Sequence, residues 1–241
     1  MHMHEHNFDR AGFLRFAAVG LAGAGLAPQA AAAAGYSSGP SMTPDQALQK
    51  LMTGNAAFVA GHLVATTAIA ERRMDVTTSQ HPFAMILSCA DSRVPPEHVF
   101  DQGVGDLFVC RVAGPVIETA ALGSFEFAVA TFKTPVVLIV MGHQRCGAVT
   151  AAIGLSKAGK PAPTPSIQAI VDDLKPAITA TSQGSMADEA YADAVSKTSA
   201  RLVAKKIAAD SEILKGTISS GKLKIVPAFY SLDSGKVALL S

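Results

Sequence analysis

Four short, nearly unbroken apolar runs constrain this chain most. They are Phe83–Ala90 (FAMILSCA), Leu107–Ala113 (LFVCRVA), Pro135–Gly142 (PVVLIVMG) and Leu223–Phe229 (LKIVPAF). Runs of that length, without polar alternation, suit strands buried on both faces, as in a parallel sheet. Such a sheet needs helices to cover it. Thr43 can cap one that Pro44 opens, with Gln46 completing a capping box. Leu122, Phe125, Val129 and Phe132 share one helical face, and residues 146–156 and 187–214 also read as helices. Residues 157–166, KAGKPAPTPS, read as a Pro-rich loop. The expectation is one α/β domain over residues 43–241, with a mostly parallel, roughly four-stranded sheet flanked by helices.

Composition removes several classes of function. With 49% apolar and 16% charged residues in 241, the chain is neither disordered nor fibrous. Its 20 Lys+Arg balance 19 Asp+Glu, so no basic surplus argues for nucleic acid. Three cysteines make no disulfide framework.

The N-terminus reads as an export signal over residues 1–34. Arg10 and Arg15 precede the apolar FAAVGLAGAGLA of residues 16–27, and PQAAAAA offers small-x-small cleavage sites. The apolar run is too short for a membrane span of about 20 residues. Arg10-Ala11-Gly12-Phe13-Leu14-Arg15 resembles a twin-arginine signal with Ala11 where the second Arg should be, which leaves the export route open. Residues 35–42 read as a linker. The mature protein should begin near Gly35, lack a stable membrane span, and work in the periplasm or outside the cell.

Two motifs fall just past the ends of two runs. Cys89-Ala90-Asp91-Ser92-Arg93 follows FAMILS, and Gly142-His143-Gln144-Arg145-Cys146-Gly147 follows PVVLIVM. Open α/β sheets place ligands at the carboxyl ends of their strands. If the first and third strands are neighbours, Cys89 meets His143 and Cys146 in one crevice. Two thiolates and one imidazole suit Zn²⁺ and leave a fourth position open.

These residues resemble the β-class carbonic anhydrases. The likeness runs from Gly54-Asn55-Ala56-Ala57-Phe58 through CADSRVPPEHVFDQGVGDLFVCR, Ser124-Phe125-Glu126-Phe127-Ala128 and GHQRCGAV to Phe229-Tyr230-Ser231-Leu232-Asp233-Ser234-Gly235. It implies one Zn²⁺ per chain on Cys89, His143 and Cys146, with Asp91 and Arg93 as an acid–base dyad. It implies reversible hydration of CO₂ to bicarbonate and a proton, by attack of zinc-bound hydroxide held by that dyad. It also implies a homodimer or dimer of dimers with sites at the subunit interface. Asp91 can itself take the fourth zinc position, as in some members at lower pH. Gln80 and Phe108 fall at the offsets of a substrate-contacting glutamine and an aromatic lining the CO₂ pocket.

The charge of the set matters. Two thiolates and a neutral His cancel the charge of Zn²⁺, so bound water should be acidified less than at a three-His site. A nearby carboxylate opposes hydroxide formation further. Asp91 is then expected to orient the attacking oxygen, with Arg93 fixing it through a bidentate pair. Activity is expected to rise from neutral into alkaline pH.

Several positions depart from the family pattern. Arg111-Val112-Ala113-Gly114-Pro115 lacks two amide side chains that many members carry, and Phe127 stands where plant-type members often have Tyr. A secondary bicarbonate pocket built on Trp does not carry over, because the chain has no Trp and Ile86 holds the matching offset. His81 and His98 read as surface or packing histidines, Cys110 as a buried inert thiol, and Asp106 and Arg111 as loop and core packing. The rival functions are hydrolysis of CS₂ or COS on the same ligands, and a non-catalytic zinc- or bicarbonate-binding module. A thiol oxidoreductase would need a C-x-x-C motif that is missing.

Overall fold

The apolar runs form β1 (Ala84–Cys89), β2 (Leu107–Val112), β3 (Val137–His143) and β4 (Lys224–Tyr230) in a computed structural model that describes residues 42–65 and 69–241. The expected export signal and residues 35–41 of the linker lie outside the described residues. The four strands run parallel, and β5 (Val237–Leu239) pairs antiparallel to β4. The sheet order is β2-β1-β3-β4-β5. Every residue of β1 and β3 is buried, as central strands covered on both faces require.

The helices are α1 (Pro44–Val59), α2 (Ile69–Asp75), α3 (Pro96–Val99), α4 (Thr119–Phe132), α5 (Gly147–Ala158), α6 (Pro165–Ala180), α7 (Asp188–Asp210) and α8 (Glu212–Ser219). Alternate strand residues feed two core layers. Ala84, Ile86, Val137, Ile139 and Met141 share a cluster with Leu51 of α1, Val149 of α5, Leu174 of α6 and Val195 of α7. Met85, Leu87, Leu138 and Val140 share the other with Phe125 and Phe132 of α4, Ile207 of α7 and Leu214 of α8. Among the described residues no helix is long and apolar enough to cross a membrane.

The capping box of α1 forms as expected. Thr43 Oγ1 accepts from Gln46 N–H, and Gln46 Oε1 accepts from Thr43 N–H. Three expectations change. The helix expected over 187–214 breaks at Ser211, whose extended backbone and hydroxyl cap α8 by accepting from Leu214 N–H. The Pro-rich loop is shorter than expected: α5 runs to Ala158, and Pro165 already opens α6 behind the capping Thr164. The fifth strand, three residues long, carries too little pattern to read from sequence.

The Gly54-Asn55 pair explains how α1 docks. A Cβ at Gly54 would lie 1.7 Å from the Phe100 carbonyl oxygen, so only glycine permits this approach. Buried Asn55 donates Nδ2–H to the carbonyls of Val99 and Gly235, and its Oδ1 accepts from Val237 N–H. One amide thus ties α1 to α3 and to the start of β5. Asn55→Ala would leave three backbone groups unpaired, at about 1 kcal/mol or more each. The expected result is a thermal midpoint lower by roughly 6 to 12 °C.

Candidate metal centre

Pairing of β1 with β3 in the register Ser88↔Met141 brings the ends of these strands together. Cys89 closes β1, His143 closes β3, and Cys146 caps the start of α5. Gly142 lets β3 approach α7: a Cβ there would lie 2.7 Å from Ser196 Oγ. That hydroxyl accepts from His143 N–H and donates to the His143 carbonyl, both at 3.2 Å.

The three ligand atoms lie within 4.8 Å of one another, and all three residues are buried. The two sulfurs are 4.0 Å apart. His143 Nδ1 lies 2.9 Å from the Gln144 carbonyl oxygen, which can only accept. Nδ1 therefore carries the proton, and Nε2 keeps its lone pair. Nε2 is buried and finds no hydrogen-bond partner among the described residues. A buried, unsatisfied imidazole nitrogen beside two thiols is what a tetrahedral S₂N cation site requires, and the donor set suits Zn²⁺.

The surroundings favour thiolate at Cys89 and oppose it at Cys146. Cys89 is lowered to about 4, first by its hydrogen bond with Cys146, against the opposing effect of burial, then by His143 and the amides of Asp91 and Gly114. The Gly114 N–H lies 3.3 Å from Cys89 Sγ and the Asp91 N–H 3.5 Å. Cys146 is pushed up by the same shared hydrogen bond, then by burial and the Cys89 charge, while the amides of Val149 and Ala148 pull it down. One proton shared by two close sulfurs gives these opposite directions. A divalent cation would replace it and allow both to ionise.

Asp91 and Arg93 stand beside the set. Arg93 donates from its backbone N–H and from Nε to Asp91 Oδ1, each at 2.9 Å, and from Nη2 to Oδ2 at 2.6 Å. This fork holds the Asp91 carboxyl well below the usual carboxylate range. Asp91 Oδ2 is 4.0 Å from His143 Nε2.

Other expected contacts are placed elsewhere. Gln80 is exposed in the loop before β1, and the strand alone separates it from Cys89 by about 16 Å. Phe108 lies near the start of β2, opposite Met85, and packs on Phe132 at 6.0 Å in the α4-side core. Within one chain neither reaches the ligand set. An offset from a motif does not reveal which end of a strand a side chain occupies. Phe127 packs edge-on against Phe132 at 5.7 Å in the same core. His98 is exposed on α3, and His81 sits beside Ser79 before β1. Cys110 is half-buried on β2 and raised by that burial.

Two contacts escaped the sequence. Arg111 was expected to be packing alone, yet Nε donates to the Cys89 carbonyl at 3.0 Å and Nη2 to the Asp91 carbonyl at 2.6 Å. Gly114, with φ 72°, turns its N–H onto Cys89 Sγ. The segment that lacks amide side chains therefore supplies a backbone amide instead.

Comparison with known proteins agrees with this geometry. A family model described as carbonic anhydrase matches residues 84–237. A carbonic anhydrase of Mycolicibacterium smegmatis is 39% identical over 84% of this chain and 96% of its own length. Carbonic anhydrase 2 of Mycobacterium tuberculosis is 37% identical over 83% of this chain and 94% of its own. The fold is similar to that of the β-carbonic anhydrase of Coccomyxa, solved with acetazolamide, with a TM-score of 0.64 at 23% identity, covering 80% of this chain and 86% of that one. Family match, sequence kinship and fold agree, and the chain belongs to the β-class carbonic anhydrases.

Proposed function

We propose that this chain hydrates CO₂ reversibly, with one Zn²⁺ held by Cys89, His143 and Cys146 and with Asp91 and Arg93 orienting the attacking water. The observation that carries the reading is the buried, lone-pair-bearing His143 Nε2 within 4.8 Å of both sulfurs. When bound, Zn²⁺ supplies the positive charge that acidifies the attacking water. The two thiolates cancel that charge, so the carboxylate beside them serves geometry more than charge. Asp91, ionised and gripped by Arg93, accepts a hydrogen bond and fixes where the oxygen's free lone pair points. With Oδ2 4.0 Å from Nε2, Asp91 would also be close enough to hold the cation in place of water.

Supply of Gln80 and Phe108 by a second copy would reconcile their place with substrate contact. The edge strand β2, with no residue fully buried, supports a homodimer or dimer of dimers. The Arg-flanked apolar start supports export to the periplasm or beyond.

Stopped-flow hydration of CO₂ by the zinc-loaded full chain tests the reading. Activity is expected, and it should climb from about pH 6 to about pH 9 as the attacking water titrates. Asp91 stays ionised throughout that window, so the rise cannot be its own. A flat profile would overturn the charge argument. No turnover of CO₂ beside turnover of CS₂ would move the substrate, and neither would leave a binding module.

A further inference from the structure

Arg145 lies between two ligands of the set and has the left-handed backbone, φ 50°, that side chains disfavour. Acidic residues of two other elements hold it there. Its N–H donates to Asp193 Oδ1 of α7 at 2.9 Å. Its guanidinium forks onto Asp233, in the turn between β4 and β5, with Nη2–Oδ1 at 2.5 Å and Nη1–Oδ2 at 3.1 Å. Nη1 also reaches Glu189 Oε1 at 3.2 Å. Gln144 joins the same anchor, donating to Asp233 Oδ2 at 2.7 Å. The other side of this loop meets the site. The Gln144 carbonyl accepts from His143 Nδ1–H, and the Arg145 carbonyl accepts from Arg93 Nη2 at 3.4 Å.

We propose that Arg145 is a positioning residue: its guanidinium, gripped by Asp233 and Glu189, sets the 143–146 loop so that His143 and Cys146 converge on Cys89 and Arg93 aims at Asp91. The inference rests on the zinc reading above. Ion pairs this exposed add little to stability. A bidentate fork adds direction, because both of its hydrogen bonds fix one orientation of a planar group. Its effect therefore belongs to the metal site and not to the melting curve.

The test compares the full-length wild type with Arg145→Gly and Asp233→Asn. Glycine accepts the left-handed backbone, so the first variant removes the whole side chain without imposing backbone strain. Asp233→Asn is a milder surface change that decides the matter if the first fails to fold. Zn²⁺ affinity is read by competition with a chromophoric chelator, and ligand geometry by the absorption spectrum of the Co²⁺-loaded protein. Each variant is expected to bind Zn²⁺ about tenfold more weakly or worse and to shift the Co²⁺ bands, with little change in thermal midpoint. Wild-type affinity and an unchanged Co²⁺ spectrum in the variants would overturn the inference alone. A wild type that fails to bind Zn²⁺ more tightly than its Cys89→Ser variant would overturn the zinc reading with it.

Discussion

Cys89→Ala is expected to strip the chain of zinc and lower CO₂ hydration by about 10³-fold or more. The loss follows from the ligand count. His143 and Cys146 alone leave a cation two coordination positions short of a closed set, and a two-ligand site does not retain Zn²⁺ against a chelator. Lewis-acid activation contributes several kcal/mol to such a reaction, and each 1.36 kcal/mol is a factor of ten. Cys89 is buried at the end of a central strand, so the truncation also leaves a small cavity. Zinc content and the thermal midpoint should therefore be measured with activity. A folded, zinc-free, inactive variant is the expected outcome. Full zinc content with near-normal rate would remove Cys89 from the ligand set.

Asp91→Asn is expected to keep zinc and lose activity on the order of 10²-fold, comparable to removing one preorganised hydrogen-bonding group. The substitution preserves shape and removes the charge that Arg93 grips. The amide still accepts through one oxygen, but its NH₂ end repels the guanidinium fork and turns the group. The pH consequence has a definite sign. Arg93 depresses the Asp91 carboxyl, so their contact stabilises the fold above the ordinary carboxylate range. That contribution is lost only as pH falls through the depressed value. Between about pH 6 and 9 the pair adds no slope to a stability curve. A variant that hydrates CO₂ at the wild-type rate, with zinc retained, would leave Asp91–Arg93 as a strand-end salt bridge.

The sheet was legible because parallel strands buried on both faces leave continuous apolar runs, and all four appeared where those runs lie. Ligand convergence was legible for the same reason: once β1 and β3 are neighbours, residues past their carboxyl ends must meet. What stayed hidden depends on contacts distant in sequence. Arg111 looked like packing because its acceptors are carbonyls at and just past the end of another strand, which have no signature in sequence. The break at Ser211 was hidden because serine, though favoured as a cap, also occurs inside helices. Gln80 and Phe108 were placed by offset from a motif, and offset does not encode the end of a strand.

The ligands have a consequence in time. Cys89 and Cys146 stand 57 residues apart, and only the pairing of β1 with β3 joins them. A nascent or unfolded chain offers a His and a Cys three residues apart but never the whole set, so tight metal capture must follow sheet closure. On the proposed zinc reading, the compartment in which the central strands first pair would then be the one that supplies the metal. A chain threaded across a membrane unfolded would load on the far side, whereas one exported already folded would bring its zinc from within.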